Sequence, residues 1–485
     1  MSAFEKIMLP FRPSKPRNAG LTMVLDKNLG IQALNDLLDT AGEFIDIVKF
    51  GWGTSRILPF DLVRRKIEIL SKCNVLVCPG GTFLEIAYAK GMANSFLEEA
   101  KNIGFSCIEV SDGAIQIKHE NKLELIKKAK DLGFTVISEV GKKFEMEEKR
   151  YPIEERINHV LKELETGSFK VIIEARESGS SGIFDKSGDI MQEFVEIIIA
   201  QLGTHNLIFE APRPEQQHWL ISNIGNSVNL GNINPDDCVN LETLRCGLRA
   251  NTLREYHLNR TSVFIENGVG GALHAASKKD VVIIVDALRA STTIITALAE
   301  GVASVKPVVS ADECIGELTA GERGGKKIPG LDYDNSPLSF RSSNCAHKQL
   351  VLTTSNGTEC IKAAGMQNST VLIGSLINAK AVSEKALDIA KSTNRHITIV
   401  MAGRNNQLAL EDLISASEIV ANFKDCSVKG YIKPVYSVDY EKDFLNSESG
   451  KNLIALGKEK DVLFCAKKNL YKIVPVFKNG LLLIA

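Results

Sequence analysis

Residues 134–143 read FTVISEVGKK. Thr135–Ile137 is a short apolar strand; an acid follows at Glu139, then a glycine turn, then Lys142 and Lys143. A strand that delivers a carboxylate and an amine into a βα loop suits enolate chemistry in a barrel. The acid can hold a divalent metal, and a lysine can move a proton at carbon. One such strand would pass for an exposed turn with solvated charges, but the same grammar recurs on both sides of it.

Working outward, apolar segments that end in polar or glycine residues appear at Leu21–Leu25, Ile45–Val48, Val75–Cys78, Cys107–Val110, Val171–Ile173, Leu207–Phe209 and Val228–Leu230. Between them lie amphipathic stretches such as IQALNDLLDTAG, LEIAYAKGMANSFLEEAKNIG, NKLELIKKAKDLG and EERINHVLKELETG. Each has apolar residues at helical spacing, and most stop at glycine. Eight β and α units in alternation predict a (β/α)8 TIM barrel. A doubly wound open sheet is the competing fold, but no GxGxxG follows the first strand.

The chain has 485 residues, enough for two domains of ordinary size. Its 44% hydrophobic and 24% charged content is that of a globular protein. A formal net charge of −1 gives no electrostatic case for nucleic acid or an anionic membrane. No apolar run approaches a membrane span, and the opening MSAFEKIMLPFRPSKPRNAG is too polar for a signal peptide, so the expected location is cytoplasmic. Residues 1–19 read as a basic, proline-containing arm. The ten cysteines form no CxxC pair and the eight histidines no HExxH, which points to scattered reduced thiols and to a hard cation on carboxylates.

Barrel chemistry sits at the carboxyl ends of the strands. Those ends carry Lys49, Glu109, Asp112, Glu139, Lys142, Glu174, Arg176, Glu210 and Arg213. The loop Arg176-Glu177-Ser178-Gly179-Ser180-Ser181-Gly182 has the backbone N–H groups, hydroxyls and guanidinium of a phosphate cradle. Acids with lysines and arginines suit a magnesium ion beside a small, doubly anionic substrate.

The segments GLTMVLDKNLG, DIVKFGWGTS, CPGGTFLEIA, IEVSDGAI, FTVISEVGKK, IIEARESGSSGIFD, LIFEAPRPEQQHWLI and VNLGNINPDDCVNLETLRCGLR resemble the phosphosulfolactate synthase family from about Gly20 to Thr252. The resemblance implies a magnesium-dependent barrel that adds sulfite to phosphoenolpyruvate, giving 2-phospho-3-sulfolactate. On that chemistry Lys142, with Lys49 next, is the proton donor to carbon, a lysine crowded by other cations titrating low enough for the task. Glu109, Asp112, Glu139 and Glu174 are the candidate metal ligands, and Arg176, Ser178, Gly179 and Arg213 the candidate anion binders. Some members of this family are stress-associated proteins, and an enzyme acting on another phosphoenol or hydroxy-acid phosphate is a further alternative.

The pattern changes between Arg254 and Asp280, which puts the boundary near Asn259, with domains at 1–259 and 260–485. Val281–Val285 is a buried-type strand that ends in Asp286 and runs into a helix carrying Arg289 and Thr292. It superficially resembles the haloacid dehalogenase phosphatases, but their second aspartate is replaced here by Leu288. Strands at Val305–Val309, Leu350–Leu352, Thr370–Ile373 and His396–Met401 make this half a second α/β domain. Its loops hold Glu322 and Arg323, Asn356 and Gly357, Arg404, and then Glu411-Asp412 at a helix start. Carboxylates beside arginines and hydroxyl-rich loops point to metal-assisted hydrolysis of a phosphate ester, with Asp286 and Arg289 catalytic and Asp286, Glu411 and Asp412 on the metal. Thr292, Glu322, Arg323, Asn356, Gly357 and Arg404 are the candidate phosphate binders.

VDALRASTTI, GERGGKKIPGLDYDNSPL, LTTSNGTE, AGRNNQLALEDL and GKNLIALGKEKDVLFCAKKNLYKIVPVFKNG resemble the 2-phosphosulfolactate phosphatase family, also magnesium-dependent, over about Val281 to Gly480. The chain departs from that pattern at Asp334, where glycine is usual, and at Ser415-Ala416-Ser417, where Cys-Ala-Gly is usual. The two resemblances imply consecutive steps: sulfite joins phosphoenolpyruvate, then phosphosulfolactate loses phosphate to give 3-sulfolactate, a route towards coenzyme M in methanogens. They also imply self-association into a homo-oligomer.

Overall fold

All eight apolar segments of the first half become parallel strands in a computed structural model of the protein. They are β1 (Thr22–Asp26), β2 (Ile47–Phe50), β3 (Leu76–Pro79), β4 (Cys107–Val110), β5 (Thr135–Val140), β6 (Lys170–Ile173), β7 (Leu207–Glu210) and β8 (Leu230–Ile233). The structure describes Phe4, Ile7, Tyr256 and residues 9–10, 12–141, 151–174, 192–253, 261–341, 345–366, 369–404, 407–424, 426–429 and 432–484. The chain divides into two compact units, Met1–Asn259 and Arg260–Ala485.

In the first unit the ladder runs β3-β2-β1-β8-β7-β6-β5-β4. Ser106 bridges its two ends: its N–H donates to the Val77 carbonyl (3.2 Å) and its Oγ accepts from the Val77 N–H (2.9 Å). The sheet is thereby a nearly closed barrel. Leu21, Met23, Ile47, Cys78, Cys107, Ile137, Ile172 and Ile208 fill its interior as one buried cluster. Side chains alternate along a strand, so residues two positions further on face the same interior. Those positions hold Lys49, Glu109, Glu139, Glu174 and Glu210, a charged layer stacked on an apolar one.

The helices follow the amphipathic stretches, with one difference. LEIAYAKGMANSFLEEAKNIG is two helices, Gly81–Ala89 and Ala93–Ile103, because the chain reverses at Gly91 with φ +69°. Residues 12–17 of the arm grip the other end of the barrel. Arg12 donates twice to Glu242 (2.8 and 3.1 Å), and Arg17 pairs with Asp46 (2.9 Å).

The second unit is built on an eleven-stranded mixed sheet. Its strands are β9 (Ser262–Asn267), β10 (Val281–Val285), β11 (Ser304–Val308), β12 (Leu318–Arg323), β13 (Lys326–Lys327), β14 (Gln349–Thr353), β15 (Thr370–Gly374), β16 (Ile397–Met401), β17 (Ser427–Lys429), β18 (Pro475–Lys478) and β19 (Leu481–Ile484). The order is β13-β12-β14-β11-β19-β18-β15-β10-β16-β9-β17. The final hairpin turns at Asn479-Gly480, both at positive φ, and slots antiparallel between β11 and β15. β10 is buried at every position, as a central parallel strand requires. All ten cysteines are free thiols, and among the described residues no helix is long and apolar enough to cross a membrane.

Candidate active sites

In the barrel, a cavity of about 320 Å3 opens over the charged layer. Leu25, Lys49, Trp52, Gly80, Glu109, Glu139, Glu174, Glu210 and Asn232 are among its lining residues. Glu139, Glu174 and Glu210 are buried, and one oxygen from each lies within 4.8 Å of the others. They end or follow three adjacent strands, β5, β6 and β7. Gly141 makes the approach of two of them feasible: at φ +148°, a Cβ there would stand 2.4 Å from the Glu174 Cβ.

Lys49 stands across from this group, its Nζ 3.1 Å from Glu109 and 3.3 Å from Glu210. Burial works against its charge, but Glu109, Glu210 and Glu139 outweigh burial and hold the ammonium well above the ordinary lysine range. The expectation of a lysine lowered by neighbouring cations is therefore corrected at Lys49, whose neighbours are carboxylates. Glu109 lines the cavity but is committed elsewhere: one oxygen faces Lys49 and the other accepts the Gly81 N–H (2.9 Å).

Asp112 does not reach the cavity. It turns outward to the buried Lys122 (2.9 Å), which draws it away from the ligand set proposed for it. Arg213 starts the helix Pro214–Ile224, half-buried and outside the cavity lining. Lys142, Arg176, Ser178 and Gly179 lie outside the described residues. Glu210 completes the acid group although the sequence reading left it out of the ligand set. Trp52 was also missed; it is half exposed, with Lys27 Nζ 5.0 Å from its ring centre.

In the second unit a cavity of about 260 Å3 lies at the carboxyl ends of the parallel strands, with Asp286, Arg289, Glu322, Asn356, Arg404, Glu411 and Asp412 in its wall. Asp286 follows β10 and accepts the N–H of Ala290 (3.1 Å). Burial pushes its carboxyl up, the Ala290 N–H pulls it back, and repulsion from Glu322 and Glu411 leaves it at about 7. Gly357 abuts it from the start of the helix Gly357–Gly365: a Cβ there would stand 2.5 Å from Asp286 Oδ2.

Other residues assigned to this site brace it. Asp412 accepts from the N–H groups of Ala287 (2.7 Å) and Gly403 (3.0 Å), tying two loops together. Glu322 accepts from the N–H groups of Gly325 (2.7 Å) and Ser355 (2.8 Å), so this anion shapes the glycine turn, in place of the phosphate contact expected of it. Arg289 is buried against Asp461 (2.6 Å) and Asp334 (3.4 Å). Asp334, the departure from the family pattern, also pairs with Lys458.

Two further assignments are corrected. Thr292 is fully buried, donating to the Ala287 carbonyl (3.0 Å) and sharing a bond with Ser375 (2.9 Å), so it packs a helix rather than meeting phosphate. Arg323 is exposed and outside the cavity wall, donating to Val309 O and Thr353 Oγ1. Arg404 is held at the cavity by Glu448 (2.5 Å), from a run of helices that also contributes Ser449, Asn452 and Leu453 to the wall. Together with Ser355 and Asn335, these were not foreseen.

Comparison with known proteins divides the chain in the same two parts. A family model for (2R)-phospho-3-sulfolactate synthase matches residues 10–251, and one for 2-phosphosulpholactate phosphatase matches residues 271–480. The first part is 43% identical over 253 residues to the phosphosulfolactate synthase of Methanocaldococcus jannaschii, covering 52% of this chain and 98% of that one. It is 39% identical over 245 residues to the Bacillus subtilis phosphosulfolactate synthase, covering 50% and 96%. The second part is 36% identical over 216 residues to a Clostridium tetani protein named "Probable 2-phosphosulfolactate phosphatase", covering 41% and 91%. The chain thus belongs to the phosphosulfolactate synthase family through its first part and to the 2-phosphosulfolactate phosphatase family through its second.

Proposed function

We propose that residues 1–259 add sulfite to phosphoenolpyruvate and that residues 260–485 remove phosphate from the resulting 2-phospho-3-sulfolactate, leaving 3-sulfolactate. The observation that carries the reading is the buried group of Glu139, Glu174 and Glu210 facing Lys49 in one barrel mouth, in a chain whose second part belongs to the family named for hydrolysing the synthase's product. Three converging carboxylate oxygens with no soft ligand among them fit magnesium. Bound there, it would stabilise negative charge growing on the substrate carboxylate.

Bisulfite sulfur bonds to the methylene carbon, and the double-bond electrons move onto the carboxylate as an aci-acid. Lys49, held charged by its carboxylate neighbours, faces that developing anion. The proton for the carbon beside the carboxylate is assigned to Lys142. Trp52 and Leu25 wall the mouth.

In the second unit, Asp286 and Glu411 are the acids best placed to hold magnesium, which would polarise the phosphate for attack by water. Asp412 and Glu322 keep the surrounding loops in position. Arg404, at the cavity edge, can meet an anionic group of the ester in exchange for Glu448. We further read the enzyme as cytoplasmic and self-associating.

A phosphorus NMR time course with phosphoenolpyruvate, sulfite and magnesium tests both steps. A transient phosphosulfolactate signal followed by inorganic phosphate, both sulfite-dependent, is expected. A persistent ester signal would sink the phosphatase assignment, and no sulfite-dependent change in folded protein would return the barrel to the stress-protein class.

A further inference from the structure

Behind the barrel cavity, between the helices His119–Asp131 and Ile153–Thr166, a lysine is buried that the scheme above does not use. Lys122 is 2% exposed. Three oxygens surround its ammonium: Asp112 Oδ1 (2.9 Å) and the backbone carbonyl of Glu139 (2.6 Å) accept hydrogen bonds, and Glu163 Oε1 lies 2.8 Å away as an ion pair. Burial opposes its charge, and Glu163 and Asp112 more than offset that.

The third contact sets this cluster apart from an ordinary buried ion pair. Pairing of β4 with β5 ends at Val110 and Ser138, one residue short of Glu139. Where that pairing stops, the Glu139 carbonyl receives Lys122. The same residue's carboxylate is one of the three that converge in the cavity. Asp112 comes from the loop after β4 and Glu163 from the helix Ile153–Thr166, so the ammonium ties three separate segments to the backbone of one ligand.

We propose that Lys122 is a positioning residue for the barrel's cation site, its three-way contact with Asp112, Glu163 and the Glu139 carbonyl fixing where the Glu139 carboxylate meets Glu174 and Glu210. This rests on reading those acids as the cation site. Outer partners of metal ligands typically change metal affinity roughly 10–100-fold when removed. A lysine that merely packed the helices would lower stability and leave affinity alone.

The test titrates Mn2+ into the full chain without substrate, using E174Q to identify the barrel site. Tryptophan fluorescence checks the fold, since both tryptophans, Trp52 and Trp219, lie in this unit. Lys122→Met is expected to bind Mn2+ roughly 10–100-fold more weakly at the site that E174Q abolishes. Its Mn2+ requirement for synthase turnover should rise in parallel, with kcat at saturating metal nearly kept. Wild-type affinity in folded Lys122→Met, even with lowered thermal stability, overturns the proposal. If that variant does not fold, Asp112→Asn decides, because it loosens the ammonium without removing it; wild-type affinity there overturns the proposal equally. A Mn2+ titration that E174Q leaves unchanged would remove the cation site itself, and the Lys122 assignment with it.

Discussion

At the residue scale, what fixes each site is how closely backbone and carboxylate approach. Gly357 shows this most directly. Its Cα lies against Asp286 and Ala290, and an added Cβ would come within 2.5 Å of the carboxylate and 2.8 Å of the Ala290 methyl. Ala290 is buried, Asp286 is half-buried and held by the Ala290 N–H, and neither is the free end of a long side chain. Gly357→Ala must therefore displace Asp286 or the start of the helix. Overpacking of this kind destabilises by roughly 1–3 kcal/mol. Phosphatase turnover on supplied phosphosulfolactate should fall at least about tenfold, since misplacing a reacting group by an ångström can cost far more. Sulfite addition should be untouched. Full phosphate release by this variant would remove Asp286 from the reacting centre.

At the element scale, β6 compresses the barrel's design into one strand. Lys170, Ile172 and Glu174 sit at alternate positions, so a base, an apolar residue and an acid occupy successive levels of one face. Glu174 ends at the cavity, whereas Lys170 lies at the far end, 1% exposed, donating to the His205 carbonyl (2.9 Å). Burial lowers the Lys170 amine from 10.5 to about 7 in the fold. The unfolded chain therefore binds the extra proton between about pH 7 and 10.5, and stability rises with pH across that window. The penalty is fully present below about pH 7 and is lost as pH rises through the unfolded value. Lys170→Met should accordingly raise the barrel's unfolding temperature at pH 6.5, by about 2–4 °C per kcal/mol gained. That advantage should shrink steadily towards pH 10. Tryptophan fluorescence melts follow this unit alone, and a pH-independent difference would mean that the amine is not the source.

The same strand explains what the sequence disclosed and what it withheld. The eight strands were legible because apolar runs and glycine stops repeat, and the acids at their ends followed. A sharper signal was also present. Ile47/Lys49, Cys107/Glu109, Ile137/Glu139, Ile172/Glu174 and Ile208/Glu210 each place a charge two residues past a core residue, which puts all five on the inner face. Read that way, Glu210 joins the ligand set and Asp112, outside the series, leaves it. Nothing local announced Lys122 as a brace for Glu139, since its other partners, Glu163 and the Glu139 carbonyl, come from a separate helix and the next strand. In the second unit Thr292 and Arg323 were legible as polar residues near strand ends, but not the side to which they turn. The helices carrying Asn452 and Asp461 reach the site from the far end of the sequence, where no local pattern marks them.

At the scale of the molecule, each half corresponds to a nearly whole relative: alignment covers 98% of one synthase and 91% of one phosphatase-family protein. Among the described residues, each cavity is likewise lined within its own unit. Each unit is therefore expected to work without the other, and the intermediate between them is a small, multiply charged ester that water solvates well. From this it follows that the two steps need not occur on one chain. Glu174→Gln is expected to abolish synthase activity and Asp286→Asn phosphatase activity, so neither protein alone should convert phosphoenolpyruvate and sulfite to phosphate. An equimolar mixture should regain sulfite-dependent phosphate release after a lag, and the lag should shorten as the Glu174→Gln protein, which keeps the phosphatase, is raised. Phosphosulfolactate should be visible by phosphorus NMR during that lag. A mixture that accumulates ester and releases no phosphate, while the parent chain shows no lag, would mean that the ester must pass between sites of a single chain.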